Sequence, residues 1–324
     1  MVIKIIQKAF TKKSGQHQNK QSDFRKKIPF PIRHLNFGFD GKNFDSKFYR
    51  NAELATAYVT AMSIFLTYGE DLVIETARYH RELIHDPVLK QRVTALIGQE
   101  AIHSKLHNEF NDATLVTHEY PVRFYRFLAK NVFDYGFLRF PQPLKLSLMA
   151  GIEHFTAVFA EFAMKHDEEL WTDDLRKDSK TRGLWMWHFM EESEHKDVAY
   201  DVFQLISGHY FLRITGFFLA SFTIMGLVSA GAIGIPILRK PLNVINPRYW
   251  LDVGYSLNVL LNPINGLFGS TAGHILEYLR PDFHPNDHDT TIYLEKYKEK
   301  LLNPETGLLT PYFVKEFMPK VQSA

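Results

Sequence analysis

The stretch WMWHFMEESEH, residues 185–195, sets two histidines and a glutamate at the spacing of one helix face. Residues i, i+4 and i+7 of an α-helix point the same way, so the side chains of His188, Glu192 and His195 converge. Two imidazoles and a carboxylate that meet at one point are suited to bind a metal ion. This stretch therefore predicts a long helix that carries part of a metal site.

A second Glu-x-x-His pair lies about ninety residues earlier in the chain. Glu100 and His103 repeat the residue types and the spacing of Glu192 and His195. One such pair arises by chance in many helices, but two pairs on long helices are typical of four-helix bundles that hold two metal ions. Such bundles take one further glutamate from each of the other two helices. The sequence should therefore offer an inward glutamate on each of them.

Helical neighbours select the glutamate of the first helix. Glu70 shares its helix face with Leu66 and Val73, whereas Glu75 shares its face with charged residues. Glu70 also lies about as far from the turn at residues 86–87 as Glu100 does, which would bring the two level in an antiparallel pair. Glu70 is therefore the predicted ligand.

The third helix offers two candidates, Glu153 and Glu161, both with apolar neighbours at helical spacing. Glu153 is preferred because it is nearer the middle of its helix and because its small neighbours leave room for a substrate. Glu161 stays open as the alternative. His188 is not required by the minimal ligand set of such a bundle. It is expected either to ligate one ion or to hold a ligand in place through a hydrogen bond.

Apolar residues at helical spacing predict four main helices, at about residues 52–84, 87–110, 144–165 and 182–206. Asp86 and Pro87 form a typical start for the second, because Asp caps a helix and Pro fits its first position. Little strand character is present. The predicted fold class is all-α, a four-helix bundle with additional C-terminal helices.

Residues 214–238 form an apolar block of 25 residues without a formal charge. The block is long enough to cross a membrane. Several glycines and Pro236 interrupt it, which favours a buried or interfacial helical hairpin over a membrane span. Further on, His284, Asp287, His288 and Asp289 lie among prolines and are expected in a solvated turn rather than in a ligand set.

Composition limits the chemistry. A hydrophobic content of 45% is ample for a core, and the absence of cysteine removes disulfides, thiolate nucleophiles and cysteine-held metals. Residues 1–33 carry nine Lys or Arg against one acid, which predicts a disordered or surface-binding tail rather than a signal peptide.

A cytoplasmic location is expected, with membrane association as the alternative, and no nucleic acid partner is expected. The predicted units are 1–30, a basic disordered or surface-binding tail; 31–209, the di-metal four-helix bundle; 210–240, an apolar helical hairpin or membrane-associated segment; and 241–324, a C-terminal helical extension packed on the bundle.

In its two Glu-x-x-His pairs and the glutamates of the other two helices, the chain resembles the ferritin-like di-metal carboxylate superfamily, and within it the family of predicted metal-dependent hydrolases. The sequences GIEHFTA at residues 151–157 and RPDFHPN at residues 280–286 belong to this resemblance. The His188-x-x-x-Glu192-x-x-His195 pattern is also similar to that of di-iron arylamine N-oxygenases. The resemblance implies two iron ions, with manganese or zinc as alternatives. The implied ligands are Glu70, Glu100, His103, Glu153, His188, Glu192 and His195.

The predicted function is that of a dinuclear-metal oxidoreductase that acts on an apolar small molecule with dioxygen. The substrate is expected among Phe155, Phe159, Trp185 and Phe189. Expected partners are an electron donor protein, a peripheral membrane contact and a second copy of the chain. Metal-dependent hydrolysis by an activated water is the first alternative, and a non-enzymatic metal-binding or membrane-associated protein is the second.

Overall fold

The structure, a computed structural model, describes residues 30–42, 44–172 and 179–314, with the side chain of Ser179 excepted. Within these ranges the protein is all-α, as predicted, and no strand is formed. Two isolated antiparallel bridges join Leu35 to Phe313 and Tyr49 to Trp171. The predicted basic tail falls almost entirely outside the described residues.

The helices alternate with short turns along the chain. They are α1 Glu53–Arg81, α2 Pro87–Phe110, α3 Val122–Phe133, α4 Gln142–Leu170, α5 Ser179–His195, α6 Val198–Ile206, α7 Tyr210–Ser221, α8 Val228–Arg239, α9 Pro247–Leu261, α10 Leu267–Glu277 and α11 Thr291–Leu302. Wider π-helical turns follow α2, at Asn111–Leu115, and join α7 to α8, at Phe222–Leu227.

The four long helices α1, α2, α4 and α5 form the bundle, in which each packs against two of the others. The turn before α2 forms as predicted from the sequence: Asp86 Oδ1 accepts a hydrogen bond from Leu89 N at 2.9 Å and so caps the helix, and Pro87 occupies the first turn. The predicted glutamates Glu70, Glu100 and Glu153 lie mid-helix and buried. The core of the bundle is therefore where the sequence places its polar ligands.

The fourth predicted helix is shorter than expected. Instead of running through residues 182–206, α5 ends at His195, and a turn at Lys196 and Asp197 precedes α6. The Asp197 carboxylate accepts hydrogen bonds from Arg92 at 2.7 Å and from Asn286 at 2.8 Å. These long-range contacts hold the chain in the turn, and local helix periodicity does not reveal them.

The predicted hairpin at residues 210–240 is wrong. The chain forms one helix there, Tyr210–Arg239, which passes through the π-helical turn without reversing. Its glycines serve close packing: a Cβ at Gly216 would lie 2.1 Å from Ser147 Oγ, and one at Gly151 would lie 3.0 Å from the Gly216 carbonyl oxygen. These glycines allow α7 to approach α4 closely, as small residues do between packed helices.

Among the described residues, two helices are long and apolar enough to cross a membrane by length and composition. In Gln142–Leu170 the apolar window is 89% buried, as befits a core helix of the bundle. In Tyr210–Arg239 the corresponding window is 33% buried, so most of it faces outward.

The two ends of the described chain meet beside the bundle. Asn36 N donates to the Tyr312 carbonyl oxygen at 2.8 Å, and Val314 N donates to the His34 carbonyl oxygen at 3.1 Å.

The predicted solvated turn is wrong for His284, which is 3% exposed and contacts Asp201 Oδ1 at 2.9 Å. His284 therefore packs against α6, whereas Asp287 and His288 are half-buried and Asp289 is exposed, as predicted.

Candidate metal centre

The first cluster of the centre, site 1, combines the two Glu-x-x-His pairs of α2 and α5. Glu100, His103, Glu192 and His195 each offer a ligand atom within 4.8 Å of the others, and all four are buried. His103 Nδ1 is 3.7 Å from an oxygen of Glu100 and 3.7 Å from an oxygen of Glu192. These separations exceed a hydrogen bond, but they fit atoms that share one ion at about 2 Å from each.

The second cluster, site 2, consists of Glu70 from α1, His107 from α2 and His188 from α5, again within 4.8 Å and buried. Glu70 Oε1 is 3.9 Å from His188 Nδ1, and His107 Nε2 is 2.9 Å from the same atom. The two sites adjoin, because His188 Nε2 is 2.9 Å from Glu192 Oε1 in site 1. Together they form one centre of two adjoining clusters, each of which could hold a metal ion.

Glu153 of α4 reaches the centre through His195, whose Nδ1 is 2.8 Å from Glu153 Oε2. Glu161 lies two turns further along α4, where it pairs with Lys165 and is 3.8 Å from His274 Nδ1. The structure therefore brings Glu153 to the centre and leaves Glu161 outside. All seven side chains predicted from the sequence lie in this one region, and their ligation remains a prediction.

A chain of hydrogen bonds fixes the tautomer of His107. Asn111 Nδ2 donates to the Ser63 carbonyl oxygen at 3.1 Å, so Asn111 Oδ1 is the acceptor of the Ser63 hydroxyl proton at 2.8 Å. The Ser63 oxygen consequently accepts from His107 Nδ1, which is 2.8 Å away. Burial, and then the neighbouring His188, lower the pKa of His107 well below its usual range. The ring is therefore neutral, with its lone pair on Nε2 and directed at His188.

A neutral His188 cannot satisfy both of its neighbours. It faces the lone pair of His107 Nε2 with one nitrogen and Glu192 Oε1 with the other, each at 2.9 Å. A neutral imidazole carries one N–H, so one of these contacts would set two lone pairs against each other. A proton or a metal ion would resolve the conflict. Burial, and then His103, lower the pKa of His188, which disfavours the proton and favours the metal.

Six buried atoms of the centre have no hydrogen-bond partner among the described residues. They are Glu70 Oε1 and Oε2, Glu100 Oε1, His103 Nδ1, Glu192 Oε2 and His195 Nε2. Leaving such groups unpaired in an interior costs several kcal/mol each unless something else compensates. Two divalent cations would take up these lone pairs and cancel the charge of four carboxylates, so the residues fit a two-metal centre.

In the metal-free centre, burial and neighbouring charges shift the pKa values of the side chains by different amounts. Burial, and then the charge of Glu100, raise the pKa of Glu70 well above its usual range. Burial also raises the pKa of Glu153 to about 8. For His195 burial would lower the pKa, but Glu153 and Glu192 outweigh it and raise the pKa to about 10. The metal-free centre therefore holds protons that a metal ion must displace.

Behind His103 lies a buried ionic network that holds the ring in place. Glu191 Oε2 is 3.1 Å from His103 Nε2, and Arg33 Nη1 donates to Glu191 Oε1 at 2.8 Å. Arg33 also donates to Glu194 Oε2 at 2.7 Å, and Gln99 donates to the same oxygen at 2.9 Å. A carboxylate that accepts from one ring nitrogen leaves the other nitrogen to ligate, which is a common support for metal-binding histidines.

Sequence reasoning missed three residues of this centre. His107 follows His103 by four residues and so shares its helix face, which is a signal the spacing contained. Glu191 directly precedes Glu192 and carried no distinguishing signal. Arg33 was counted with the cations of the tail, but it is 7% exposed and joined to Glu191. Only a tertiary contact reveals its place.

Two narrow apolar pockets border the centre. The inner pocket lies between α1, α4 and the helix Tyr210–Arg239, and Leu66 and Gly69 of its lining are within one turn of Glu70. The second pocket includes Phe159 and Phe189, two of the residues predicted to hold a substrate. The other two are engaged elsewhere: Phe155 stacks on Phe217 with ring centroids 5.6 Å apart, and Trp185 packs edge-on against His107 at 4.8 Å. A wider open cleft, lined by Arg50, Glu169 and Trp171 among others, contains none of the metal-site residues.

An all-α bundle with a buried cluster of carboxylates and imidazoles that could hold metal ions is typical of a metal-dependent protein. The comparison with protein families agrees. The family model described as predicted metal-dependent hydrolase matches residues 31–289, and the chain belongs to this family. The match spans every residue of the centre from Arg33 to His195. No curated protein and no solved structure matches the chain.

Proposed function

We propose that the protein is a dinuclear-metal oxidoreductase of the ferritin-like type, with iron or manganese as the metal and an apolar organic molecule as substrate. The observation that carries the proposal is the set of buried nitrogen and oxygen atoms without a hydrogen-bond partner that converge from three bundle helices, α1, α2 and α5. Bundles with two Glu-x-x-His helices and two further glutamates are typical di-iron and di-manganese carboxylate proteins.

The residues have separate parts in this proposal. Glu100, His103, Glu192 and His195 would hold one ion, and Glu70, His107 and His188 would hold the other. Glu153 contacts His195, and it would either ligate the first ion or fix that ring. When bound, two such ions supply the redox chemistry with dioxygen, and a separate electron donor protein balances the electrons.

The surroundings of the centre support an apolar molecule as substrate. Side chains that line the inner pocket are apolar apart from two threonines, Thr156 and Thr223. Phe159 lines both pockets, and Phe189 lines the second one. Such walls bind an apolar molecule by removing its surface from water, and they exclude water from the centre.

Metal-dependent hydrolysis is the second candidate, and the description of the family favours it. In that case a metal-activated water would attack an ester or amide. The metal ions themselves would stabilise the developing negative charge, but a polar substrate also needs polar groups beside the centre to bind and orient it. The described lining of the two apolar pockets offers no charged side chain for that task, and for this reason we place oxidation first.

The metal content and its redox behaviour test the proposal. Elemental analysis of the native protein is expected to give two iron or manganese ions per chain, with an absorption spectrum that changes on reduction and on exposure to air. Redox-silent zinc together with esterase turnover would establish the hydrolase instead. Reversible loading with many ions per chain and no turnover would indicate metal storage.

Substitutions in the centre test the assignment of the ligands. Glu100→Ala and His195→Ala are expected to lower the metal content to below half of the native value. Glu161→Ala is the matched control, because Glu161 is a buried glutamate outside the centre and its loss should leave both ions bound. Full metal content in both ligand variants would overturn the assignment.

A further inference from the structure

We propose that this protein docks on an anionic lipid surface through the outer face of the helix Tyr210–Arg239. The exposed side chains of this face, here called the apolar strip, are Phe211, Phe218, Phe222, Met225 and Ile233, with exposed fractions of 73%, 59%, 59%, 42% and 55%. Successive members are seven, four, three and eight residues apart, which are close to whole turns of a helix, so they follow one side of it. From Phe211 to Ile233 the strip is about 33 Å long.

The opposite face of the same helix is fixed to the bundle. Gly216 packs against Ser147 of α4, and Gly231 packs against Ala61 and Phe65 of α1. A helix that is apolar on all sides is normally buried on all sides, yet two thirds of the window in this one are not. Because the inner face is occupied, the helix cannot leave the bundle to span a bilayer, and it can instead lie in the plane of the interface.

The chain that follows extends the apolar surface. Leu242, Ile245, Leu251 and Ile264 are between 75% and 82% exposed, and Trp250 is 56% exposed. The helix α9 packs on α1, as α8 does, so this segment lies against the same element of the bundle. Exposed apolar side chains in this number mark an interaction site, and exposed Trp is typical of the membrane–water boundary.

Charge distinguishes a lipid surface from a second copy of the chain. Residues 202–251 contain four arginines or lysines, Arg213, Arg239, Lys240 and Arg248, and no Asp or Glu. Arg213 is buried, whereas Lys240 and Arg248 are exposed beside the apolar segment. Cations at the rim of an apolar face attract anionic lipid headgroups. A two-fold contact between identical copies would instead bring these like charges towards each other.

The same helix also separates the strip from the inner pocket. Thr223, Ile224 and Val228 line that pocket, whereas Phe222 and Met225 face outward. The lipid surface would therefore lie on the pocket side of the protein. Substrates that reach the centre from this side would be molecules dissolved in the lipid. This last step rests on the proposed function.

Flotation of the full chain with vesicles tests the docking. The native protein is expected to float with vesicles of phosphatidylcholine mixed with phosphatidylglycerol, and less with phosphatidylcholine alone. The double variant Phe218→Glu and Phe222→Glu should lose binding by tenfold or more. Its matched control is Leu83→Glu with Ile292→Glu, because these residues are 52% and 79% exposed and lie outside the strip; this control should bind as the native protein does.

Further variants separate the causes. Lys240→Gln with Arg248→Gln is expected to reduce the preference for anionic vesicles, and the basic residues 1–30, which this variant keeps, account for what is left of it. Glu100→Ala should float normally, so that a failure of the metal assignment does not count against the docking. Unchanged flotation of the Phe218→Glu and Phe222→Glu variant, at native helicity by circular dichroism, would overturn the proposal. So would a native protein that ignores vesicles and forms a dimer that this variant dissociates in sedimentation velocity.

Discussion

His107 Nε2 lies 2.9 Å from His188 Nδ1, and Ser63 on the far side of His107 keeps its lone pair directed at that contact. The relationship gives the centre an eighth residue and explains why His188 stands one turn before Glu192. A single neutral proton arrangement cannot satisfy His107, His188 and Glu192 together. An additional proton, or a metal ion bound by these side chains, resolves the conflict.

Replacing His107 with Ala should therefore weaken metal binding at site 2. Metal content is expected to fall from two ions towards one, or the affinity for the second ion to fall tenfold to a hundredfold. His80→Ala is the control, because His80 is equally buried but contacts the Thr76 carbonyl oxygen away from the centre. Elemental analysis after dialysis measures both variants, and two tightly held ions in His107→Ala would exclude a role for this ring in binding metal.

Replacing Arg33 with Met should destabilise the fold. Arg33 is the arginine that Glu191 and Glu194 share, and both carboxylates are nearly fully buried. Removing one partner of a buried ion pair costs about 3–5 kcal/mol, because the remaining charge is left without compensation. Urea unfolding of the metal-free protein measures the loss.

The matched control for Arg33 is an exposed pair. Lys105 is 3.8 Å from Glu109, and the two side chains are 62% and 41% exposed. Lys105→Met should change the free energy of unfolding by less than about 0.5 kcal/mol. A loss of less than about 1 kcal/mol in Arg33→Met would show that Lys298, 3.5 Å from Glu194, and Gln99 suffice to hold the carboxylates.

The metal-free protein should lose stability as the pH rises from 7 to 9. The pKa of His195 rises from 6.5 to about 10 in the fold, and that of Glu153 rises from 4.5 to about 8. Groups with raised pKa values stabilise the fold below their ordinary pKa, and this contribution is lost as the pH rises through the raised value. The slope is up to about 1.4 kcal/mol per pH unit for each extra proton that the folded state holds.

Bound metal should remove this dependence of stability on pH. Metal ions displace the same protons, so metal affinity is expected to increase over pH 7 to 9 while the stability of the loaded protein changes little. Melting temperatures of the metal-free and loaded protein at three pH values measure both effects. A metal-free protein whose melting temperature stays constant or increases over this range would contradict the assigned protonation.

Replacing Gly216 with Ala should push the outer helix away from the bundle. A Cβ at Gly216 would lie 2.1 Å from Ser147 Oγ and 2.3 Å from the Ser147 backbone, so α7 has to move away from α4. Overpacking of this kind costs about 1–3 kcal/mol. At Gly273 a Cβ meets nothing within 4 Å, so Gly273→Ala should be neutral or stabilise α10 by up to about 1 kcal/mol. Thermal unfolding compares the two, and equal melting temperatures would show that the contact at Gly216 can relax.

The sequence by itself determined the helices and the kind of centre. Periodicity located α1, α2 and α4 to within a few residues, because each helix buries one face over many turns. The two Glu-x-x-His pairs predicted which side chains would converge, because residues three apart on a helix share a face whatever the rest of the chain does. The all-α fold is confirmed, and the predicted ligands lie together.

Only the tertiary structure decided the rest. The choice of Glu153 over Glu161 depends on which turn of α4 lies beside His195, and a register between helices is not written in either of them. Arg33 enters the centre from a segment far away in the sequence, so no local pattern announces it. The glycines of residues 214–238 favoured a hairpin, because in sequence a glycine that allows a turn and a glycine that allows close packing are the same residue. The Ser147 backbone beside Gly216 is what distinguishes them.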